Sequence, residues 1–373
     1  MAINRLFFFI SFILLVGIFP KGGFSAWTWT EGVRWLYLFL ISFFAAGIFI
    51  KPSLKLSWRM GAIDFPNHRK VHTEPKPRIG GVAVYLAFMF ALLRNYQFSK
   101  EILGIMAGGT VIFLLGFFDD VKGLQARTRL LWQLTASVIV VFCGLYLSFP
   151  LKLPFGKLIS YAISILWLVG ILNAFNFMDG IDGLASSMAA VCALLFLGIS
   201  WNSSQHQVAF ISASLAGACS GFLLVNWHPS KAFLGDCGST FIGFILGCLA
   251  MYGSWATGNS AVALSTPVLV LGIPIFDIIY TTVSRIKNGN VRNVKQWLEY
   301  TGRDHFHHRL MKLGMGVREA VGFIIMLNVC LGLAAWTMRH TVSTIGALFL
   351  LFQSIIIFII VVILMLLGRE ERQ

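Results

Sequence analysis

The sequence is poor in charge and poorest in acids, with 15 Asp and Glu residues in 373 and 12% charged residues overall. An ordinary soluble domain carries about 25% charged residues, so that class is excluded. Cysteine is also scarce, and the six present, at 143, 192, 219, 237, 248 and 330, show no paired spacing. We therefore expect neither a disulfide framework nor a structural zinc site.

Apolar residues take the place of the missing charge: 57% of the chain is hydrophobic and the mean hydropathy is +0.80. Apolar runs of about 20 residues, enough to cross a bilayer as a helix, recur along the chain. They are continuous rather than alternating, which favours helices over barrel strands. The sequence predicts an all-α polytopic membrane protein with about 11–12 transmembrane helices, near residues 5–20, 32–50, 79–94, 102–118, 129–148, 158–175, 183–200, 208–226, 239–253, 261–284, 319–337 and 343–367.

The first apolar run has two interpretations. Arg5, the run 6–19 and the following "FPKGGFSA" also fit a secretory signal peptide that is cleaved after Ala26. We favour an uncleaved helix, because polytopic proteins seldom need a removable signal. The predicted organisation is an extra N-terminal segment at 1–31, one integral-membrane domain at 32–367 and a cytoplasmic tail at 368–373.

The distribution of Lys and Arg predicts the orientation. With the N-terminus inside, most of the 29 Lys and Arg residues lie in cytoplasmic loops. The net charge of +14 then reflects topology and contact with anionic membrane lipids, and its dispersal over short loops argues against nucleic-acid binding. The same topology places six acids at or near cytoplasmic helix ends: Asp119, Asp120, Asp179, Asp182, Asp236 and, about two turns deeper, Asp277. Their convergence predicts an active site on the cytoplasmic face.

Two of these loops pair carboxylates. In "GFFDDVKGL" (116–124) adjacent acids end an apolar run, which is costly unless a cation or a lysine compensates them. In "NFMDGIDGLASS" (176–187) glycines permit tight turns, and we expect Asp182 to cap the next helix, whose N-terminus suits phosphate.

Two further loops complete the set. In "AFLGDCGSTF" (232–241) we expect Ser239 or Thr240 to cap the following span, and "GRDHFHHRL" (302–310) gathers three histidines in the largest cytoplasmic loop. Each loop alone has an ordinary explanation as a helix cap or a solvated turn. Together they favour phosphoryl transfer between a nucleotide and a lipid phosphate, since acids bind Mg²⁺, and Arg and His stabilise phosphoryl charge.

At this point the motifs resemble those of the polyprenyl-phosphate N-acetylhexosamine-1-phosphate transferase family. They are, in order, "DFPNHRKVHTEPKPRIGG", "GFFDDVKGL", "NAFNFMDGIDGLA", "FLGDCGS", "PIFD" and "HFHH", and the resemblance covers roughly residues 32–367. The first and last motifs are similar to the branch that uses UDP-N-acetylglucosamine. The alternative branch, which transfers phospho-N-acetylmuramoyl-pentapeptide in peptidoglycan synthesis, has a different first loop.

The resemblance implies a reaction in the bacterial inner membrane: HexNAc-1-phosphate passes from a UDP-N-acetylhexosamine to undecaprenyl phosphate, UMP is released, and a lipid-linked surface polysaccharide is begun. It implies Mg²⁺, with Mn²⁺ as a substitute, and is compatible with a homodimer. By the resemblance, Asn176 and Asp236 hold the metal, Asp179 and Asp182 shape the nucleoside pocket, and Phe233 stacks on uracil.

The remaining roles implied by the resemblance concern phosphates. Asp119 and Asp120 face the lipid phosphate, and His305 and His308 contact the donor's phosphates. Lys70 and Arg78, in the first basic loop, are candidates for guiding the lipid phosphate, and the other substrate-binding candidates are Arg303 and His307. Arg303 and Asp304 are ordered differently from the family's form, so their individual roles stay open.

The mechanism of transfer has two possible routes. A phosphate monoester is mostly dianionic at neutral pH, because its second pKa is about 6, so Asp119 need not act as a strong base. Direct attack by the lipid phosphate and a covalent aspartyl-phosphate on Asp119 are both compatible with the sequence.

A membrane transporter is the competing class of protein, but it would place ionisable residues near mid-membrane, whereas these acids lie at the membrane boundary.

Overall fold

The computed structural model describes residues 28, 32–66, 74–95, 97–148, 155–201, 205–256, 260–293, 296–297, 300, 302, 304–340 and 344–368. The helices are α1 (Arg34–Met60), α2 (Gly81–Asn95), α3 (Lys100–Lys122), α4 (Ala126–Phe142), α5 (Gly156–Met178), α6 (Leu184–Trp201), α7 (His206–Asn226), α8 (Gly235–Tyr252), α9 (Ser260–Val270), α10 (Gly272–Lys287), α11 (Phe306–Lys312), α12 (Val317–His340) and α13 (Thr344–Leu367). Two short antiparallel strands, β1 (Ile63–Asp64) and β2 (Lys76–Pro77), lie between α1 and α2.

The prediction of an all-α polytopic membrane protein is confirmed. In the described ranges, eight helices are long and apolar enough to cross a bilayer, and the bent pair of α9 and α10 gives a ninth. The predicted spans near 79–94 and 129–148 correspond to α2 and α4, which are shorter, at 15 and 17 residues. The predicted span near 5–20 lies outside the described residues.

The predicted span near 261–284 is wrong as a single helix, because α9 and α10 meet at an angle of 82°. Proline explains the break. In a continuous helix the N–H of residue 274 would bond to the carbonyl of Val270, but Pro274 has no N–H. That carbonyl instead accepts from Asn328 Nδ2 at 3.1 Å and from the thiol of Cys192 at 3.2 Å. Side chains of α12 and α6 therefore supply the hydrogen bonds that the Val270 carbonyl loses at the break.

Helix α8 lies at the centre of the bundle, where it is almost entirely buried, and it contacts α2, α3, α5, α6 and α7. Glycines allow this close packing. A Cβ atom on Gly81 would lie 2.3 Å from the Cα of Gly238, so the α2 and α8 backbones touch at their N-termini. The predicted acidic loops meet around this end of α8.

The loop before α2 is held against the loop before α8 by backbone hydrogen bonds. Phe233 N–H donates to the Pro77 carbonyl at 2.9 Å, and Gly80 N–H donates to the Phe233 carbonyl at 3.1 Å. Because β2 also pairs with β1, residues 76–81 are fixed on both sides. This arrangement places Lys76 and Arg78 beside the N-terminus of α8.

Candidate active site

The N-terminus of α8 is held by a carboxylate from another helix. Asp120, at the end of α3, accepts from the backbone N–H groups of Asp236 at 3.0 Å and Cys237 at 2.9 Å. The preceding turn requires glycine: Gly235 has φ +72°, and a Cβ there would lie 2.0 Å from the Arg78 carbonyl. The two acidic motifs are therefore one structural unit.

The prediction that Ser239 or Thr240 caps this span is wrong, because α8 begins at Gly235 and both residues lie inside it. Ser239 Oγ donates to the Gly235 carbonyl at 2.9 Å, and Thr240 Oγ1 donates to the Asp236 carbonyl at 2.6 Å. The helix starts one turn earlier than expected, since Asp120 supplies the acceptor that its first N–H groups need.

Asp236 stands between an amide and a guanidinium. Asn176 Nδ2 donates to Asp236 Oδ1 at 2.6 Å and to Ser239 Oγ at 3.0 Å. Arg78 Nη2 lies 4.0 Å from Asp236 Oδ2 and 3.7 Å from Asp120 Oδ1. Burial by itself would lower the pKa of Arg78, but Asp120 and then Asp236 raise it above its ordinary value, so this cation persists.

The two aspartates of the DGIDG motif have opposite environments. Burial, followed by repulsion from Asp236 and Asp120, raises the pKa of Asp179 well above its ordinary value. Burial would also raise the pKa of Asp182, but hydrogen bonds from Ser230 and His228 lower it below that value. Asp179 thus retains a proton to higher pH, whereas Asp182 is ionised.

Asp182 organises the loop at 228–230 rather than the N-terminus of α6. Its carboxylate accepts from Ser230 N–H at 3.0 Å and Ser230 Oγ at 2.7 Å, and it lies 2.8 Å from His228 Nδ1. Lys76 adds a cation, with Nζ 3.7 Å from Asp182 Oδ2 and 3.0 Å from Ser230 Oγ. The same Nζ lies 5.0 Å from the ring centre of Phe233. The charged pair of Asp182 and Lys76 therefore lies beside the aromatic ring of Phe233.

These side chains line a polar cavity of about 810 Å³. Its lining includes seven of the predicted site residues, none of them from the DD motif: Arg78, Asn176, Asp179, Asp182, Phe233, Asp236 and His308. Lys76, Ser230, His228 and Lys312 also line it. The volume lies in the range of about 300–1,000 Å³ that is typical of small-molecule sites.

A smaller cavity of about 50 Å³ shares two lining residues, Asn176 and Asp236, with the large one. Its polar lining includes Asp119 and Arg129, whose Nη1 lies 3.1 Å from Asp119 Oδ2. Asp119 Oδ1 accepts from the N–H of Leu124 at 2.6 Å. The DD motif therefore splits: Asp119 faces the small cavity, and Asp120 holds α8.

The histidine loop is attached to α10 through the buried Asp277. This carboxylate lies 2.7 Å from His305 Nδ1 and accepts from Phe306 N–H at 2.8 Å, at the start of α11. Arg285 Nη2 lies 3.0 Å from His305 Nε2, and Arg285 also binds both carboxylate oxygens of Asp304 at 2.7 Å. Burial would raise the pKa of Asp304, but Arg285 lowers it below its ordinary value.

The three histidines occupy different positions. His305 is buried beneath the loop and lies outside the lining of both cavities, whereas His308 lines the large one. His307 is fully buried against Gly180, where an added Cβ would lie 2.2 Å from His307 Nε2. Burial, then His308 and His305, lowers the pKa of His307 well below its ordinary value, so this ring is neutral.

Comparison with known proteins identifies the chain. Residues 102–254 match glycosyl transferase family 4. A decaprenyl-phosphate N-acetylglucosaminephosphotransferase of Mycobacterium tuberculosis is 31% identical over 322 residues, 77% of each chain. The chain belongs to the polyprenyl-phosphate N-acetylhexosamine-1-phosphate transferase family.

Two further relatives agree. A probable undecaprenyl-phosphate N-acetylglucosaminyl 1-phosphate transferase of Bacillus subtilis is 29% identical over 87% of this chain and 90% of its own length. An undecaprenyl-phosphate alpha-N-acetylglucosaminyl 1-phosphate transferase of Yersinia pestis is 27% identical over 82% and 83% of the two chains. This family 4 chain is a multi-pass membrane phosphotransferase, and the resemblance inferred from its motifs is confirmed.

The residues fit the metal that the family resemblance implies. Within the described ranges, no three His, Cys, Asp or Glu side chains form a metal-holding group. Mg²⁺ does not require one, since it commonly takes one or two carboxylates and fills its coordination with water and substrate phosphates. Asp236 offers a carboxylate, and Asn176, which donates through Nδ2, retains its oxygen as a second hard ligand.

Several residues of this family 4 site were missed by sequence reasoning: Lys76, Arg129, His228, Ser230 and Arg285. Isolated basic or polar residues have no periodic signal, and only tertiary contacts distinguish Arg129 from its neighbour Arg127. Lys70 and Arg303, both predicted to bind substrate, lie outside the described residues.

Proposed function

We propose that this chain transfers N-acetylglucosamine 1-phosphate from UDP-N-acetylglucosamine to undecaprenyl phosphate and releases UMP. The observation that carries the proposal is the pair of cavities that meet at Asn176 and Asp236. One cavity is large and polar enough for a nucleotide sugar. The other is small and lies between the last turns of α3 and the first turns of α4. The names of the relatives supply the substrate class.

The donor fits the large cavity. Phe233 offers an aromatic face for uracil, and Lys76 and Asp182, beside it, offer a donor and an acceptor for its polar edge. Arg78 lies next to Asp236, where it would neutralise pyrophosphate charge, and His308 extends this polar surface.

The acceptor phosphate fits the small cavity. Arg129 is about one-third exposed there and already pairs with Asp119. A dianionic phosphate would share this guanidinium, and the apolar chain of the lipid would remain among the membrane-spanning helices. We assign the guiding of the lipid phosphate to Arg129; of the two residues that the resemblance suggested for this role, Arg78 lines the large cavity and Lys70 lies outside the described residues.

Transfer is proposed as one displacement. An oxygen of the lipid phosphate attacks the β-phosphorus of the donor, the bond from that phosphorus to the bridging oxygen breaks, and UMP leaves with the bonding electrons. Both carboxylates of the DD motif are engaged: Asp120 by two N–H groups of α8, Asp119 by Leu124 and Arg129. This favours direct attack over a covalent aspartyl-phosphate.

Mg²⁺, held by Asp236 and Asn176, would neutralise charge on the donor's pyrophosphate, and Mn²⁺ would substitute for it. Asp120 contributes by holding the N-terminus of α8, so that the Asp236 side chain faces both cavities.

The site is proposed to face the cytoplasm of a bacterial cell, with the protein in its inner membrane. Among the described residues, the basic side chains of Lys76, Arg78 and Lys312 line the large cavity, and such a concentration of positive charge is expected for a cytoplasmic face. The product would begin a lipid-linked cell-surface polysaccharide.

The test uses the purified full-length chain in nanodiscs with undecaprenyl phosphate and Mg²⁺. UDP-N-acetylglucosamine, UDP-N-acetylgalactosamine and the UDP-linked muramoyl-pentapeptide are supplied separately, and UMP release is measured. We expect release with UDP-N-acetylglucosamine that requires the lipid. Release only with the muramoyl-pentapeptide would assign the chain to the other branch, and no release with any donor would contradict the proposal.

A further inference from the structure

Helix α11 places His308 in the large cavity, yet it contains only seven residues. So short a helix is unstable alone, because it forms few internal hydrogen bonds for the backbone order it needs. Its position must therefore come from contacts outside itself. One such contact is the Asp277 carboxylate, which accepts from Phe306 N–H at its N-terminus.

Arg309 supplies a second attachment, from the residue after His308. Its Nε donates to the Asp304 carbonyl at 2.8 Å, and its Nη1 donates to the carbonyl of Met365 in the last turn of α13. The guanidinium also lies 5.9 Å from the ring of Tyr280 on α10. With only 5% of its surface exposed, Arg309 joins the loop, α10 and α13 from a buried position.

The contact with α13 suits a cation. Carbonyl groups in the last turn of a helix lack partners within that helix, and the helix dipole favours positive charge there. The backbones are also close: a Cβ atom on Gly368 would lie 2.7 Å from the Arg309 carbonyl. The end of α13 therefore packs directly against α11.

We propose that Arg309 is a positioning residue, through which the end of α13 fixes His308 in the donor cavity. Successive residues on a helix point about 100° apart, so Arg309 reaches α13 while His308 faces the cavity. The inference rests on the proposed function, because it assigns His308 to donor contact.

The experiment compares Arg309→Lys and Gly368→Ala, each alone and combined with His308→Ala. Lysine keeps the charge but cannot make both of the arginine's carbonyl bonds, and the Gly368 variant displaces α13 without removing the guanidinium. We expect each single variant to lower kcat/KM for UDP-N-acetylglucosamine by about 10–100-fold, the cost of misplacing a reacting group by about 1 Å. The KM for undecaprenyl phosphate should be unchanged. In the His308→Ala background, either change should cause little further loss.

Arg34→Lys is the matched control. Arg34 is also buried, at 2% exposure, and donates to the Arg94 carbonyl at 3.0 Å and to Asn95 Oδ1 at 3.2 Å, at the opposite end of the bundle. It should lower the melting temperature while leaving both KM values and kcat unchanged.

Two results would overturn this inference and leave the proposed function intact. One is that the fold-losses of Arg309→Lys and His308→Ala multiply in the double variant, as they do for independent residues. The other is a kinetic loss in Arg34→Lys equal to that in Arg309→Lys. If the unmodified chain released no UMP, the proposed function would fail and the inference with it, so the two failures are distinguishable.

Discussion

Asp120 and Asp236 are joined by a hydrogen bond of 3.0 Å from the backbone N–H of the second to the carboxylate of the first. The acid at the end of α3 therefore fixes the start of α8, and with it the direction in which the Asp236 side chain points. This hydrogen bond distinguishes Asp120 from the adjacent Asp119, although the sequence alone gives no reason to assign the two acids different roles.

Asp120→Asn should lower both stability and turnover. Asparagine offers one acceptor oxygen where α8 presents two N–H groups, so one buried N–H group loses its partner, at about 1–3 kcal/mol. Asp119→Asn should instead lower kcat, with little change in UDP-sugar binding or melting temperature. Thermal unfolding and UMP release measure the difference. Equal melting temperatures for the Asp120 variant and the unmodified chain would contradict this assignment.

Asp236→Asn should abolish turnover without unfolding the protein, because it removes a negative charge from the proposed Mg²⁺ site and preserves volume. UMP release is measured across a Mg²⁺ titration. Glu101→Gln, which changes an acid near the opposite end of α3, is the control and should remain active. Near-normal activity of the Asp236 variant at saturating Mg²⁺ would refute the metal assignment.

Phe233→Ala should weaken UDP-N-acetylglucosamine binding by about 5–150-fold, since stacking on an aromatic ring is worth about 1–3 kcal/mol per base. Calorimetry without lipid gives the Kd directly. Phe98→Ala, at an exposed phenylalanine before α3, should leave it unchanged. A raised KM for the lipid with an unchanged donor Kd would place Phe233 in the other pocket.

Arg129→Ala should raise the KM for undecaprenyl phosphate about tenfold or more, the loss of a hydrogen bond to a charged group, while donor binding is retained. Arg127, two residues away, is exposed and outside the lining of both cavities, so Arg127→Ala is a matched control for lost charge. If the two variants behaved alike, the acceptor phosphate would bind elsewhere.

Asp179 and Asp182 should respond oppositely to pH. Asp182 has a lowered folded pKa, so its stabilisation is present above its unfolded pKa of ~3.9 and is lost as pH falls through the folded value. Asp182→Asn should therefore lower the melting temperature at pH 7, and the deficit should shrink below about pH 4.

Asp179 has a raised pKa, so its ionisation opposes folding as pH rises above ~3.9. Asp179→Asn should gain stability relative to the unmodified chain between acidic and neutral pH. Melting curves across this range test both residues, and parallel pH profiles for the two variants would show that their environments do not differ.

The sequence was sufficient for the broad fold and for the meeting of the acidic loops, because apolar runs and charge-bearing turns are local signals. The break between α9 and α10 was also readable in principle, since Pro274 removes the N–H that Val270 needs. Contacts such as Asn176 with Asp236, or Arg285 with His305, could not be predicted from the sequence, because single polar residues carry no periodicity. The different roles of Asp119 and Asp120 depend on which way each side chain points, and only packing decides that. Mg²⁺ dependence and a homodimer stay predictions.

The hydrogen bonds between Asp120 and the start of α8 have a consequence for how the protein is made. The two partners are 116 residues apart, so at about 5–20 residues per second the ribosome needs roughly 6–23 s after synthesising Asp120 to reach Asp236. Throughout that interval α3 is complete, and its terminal carboxylate has no helix to hold. Because Asp236 of α8 lines both the large and the small cavity, neither can be complete until α8 has been made.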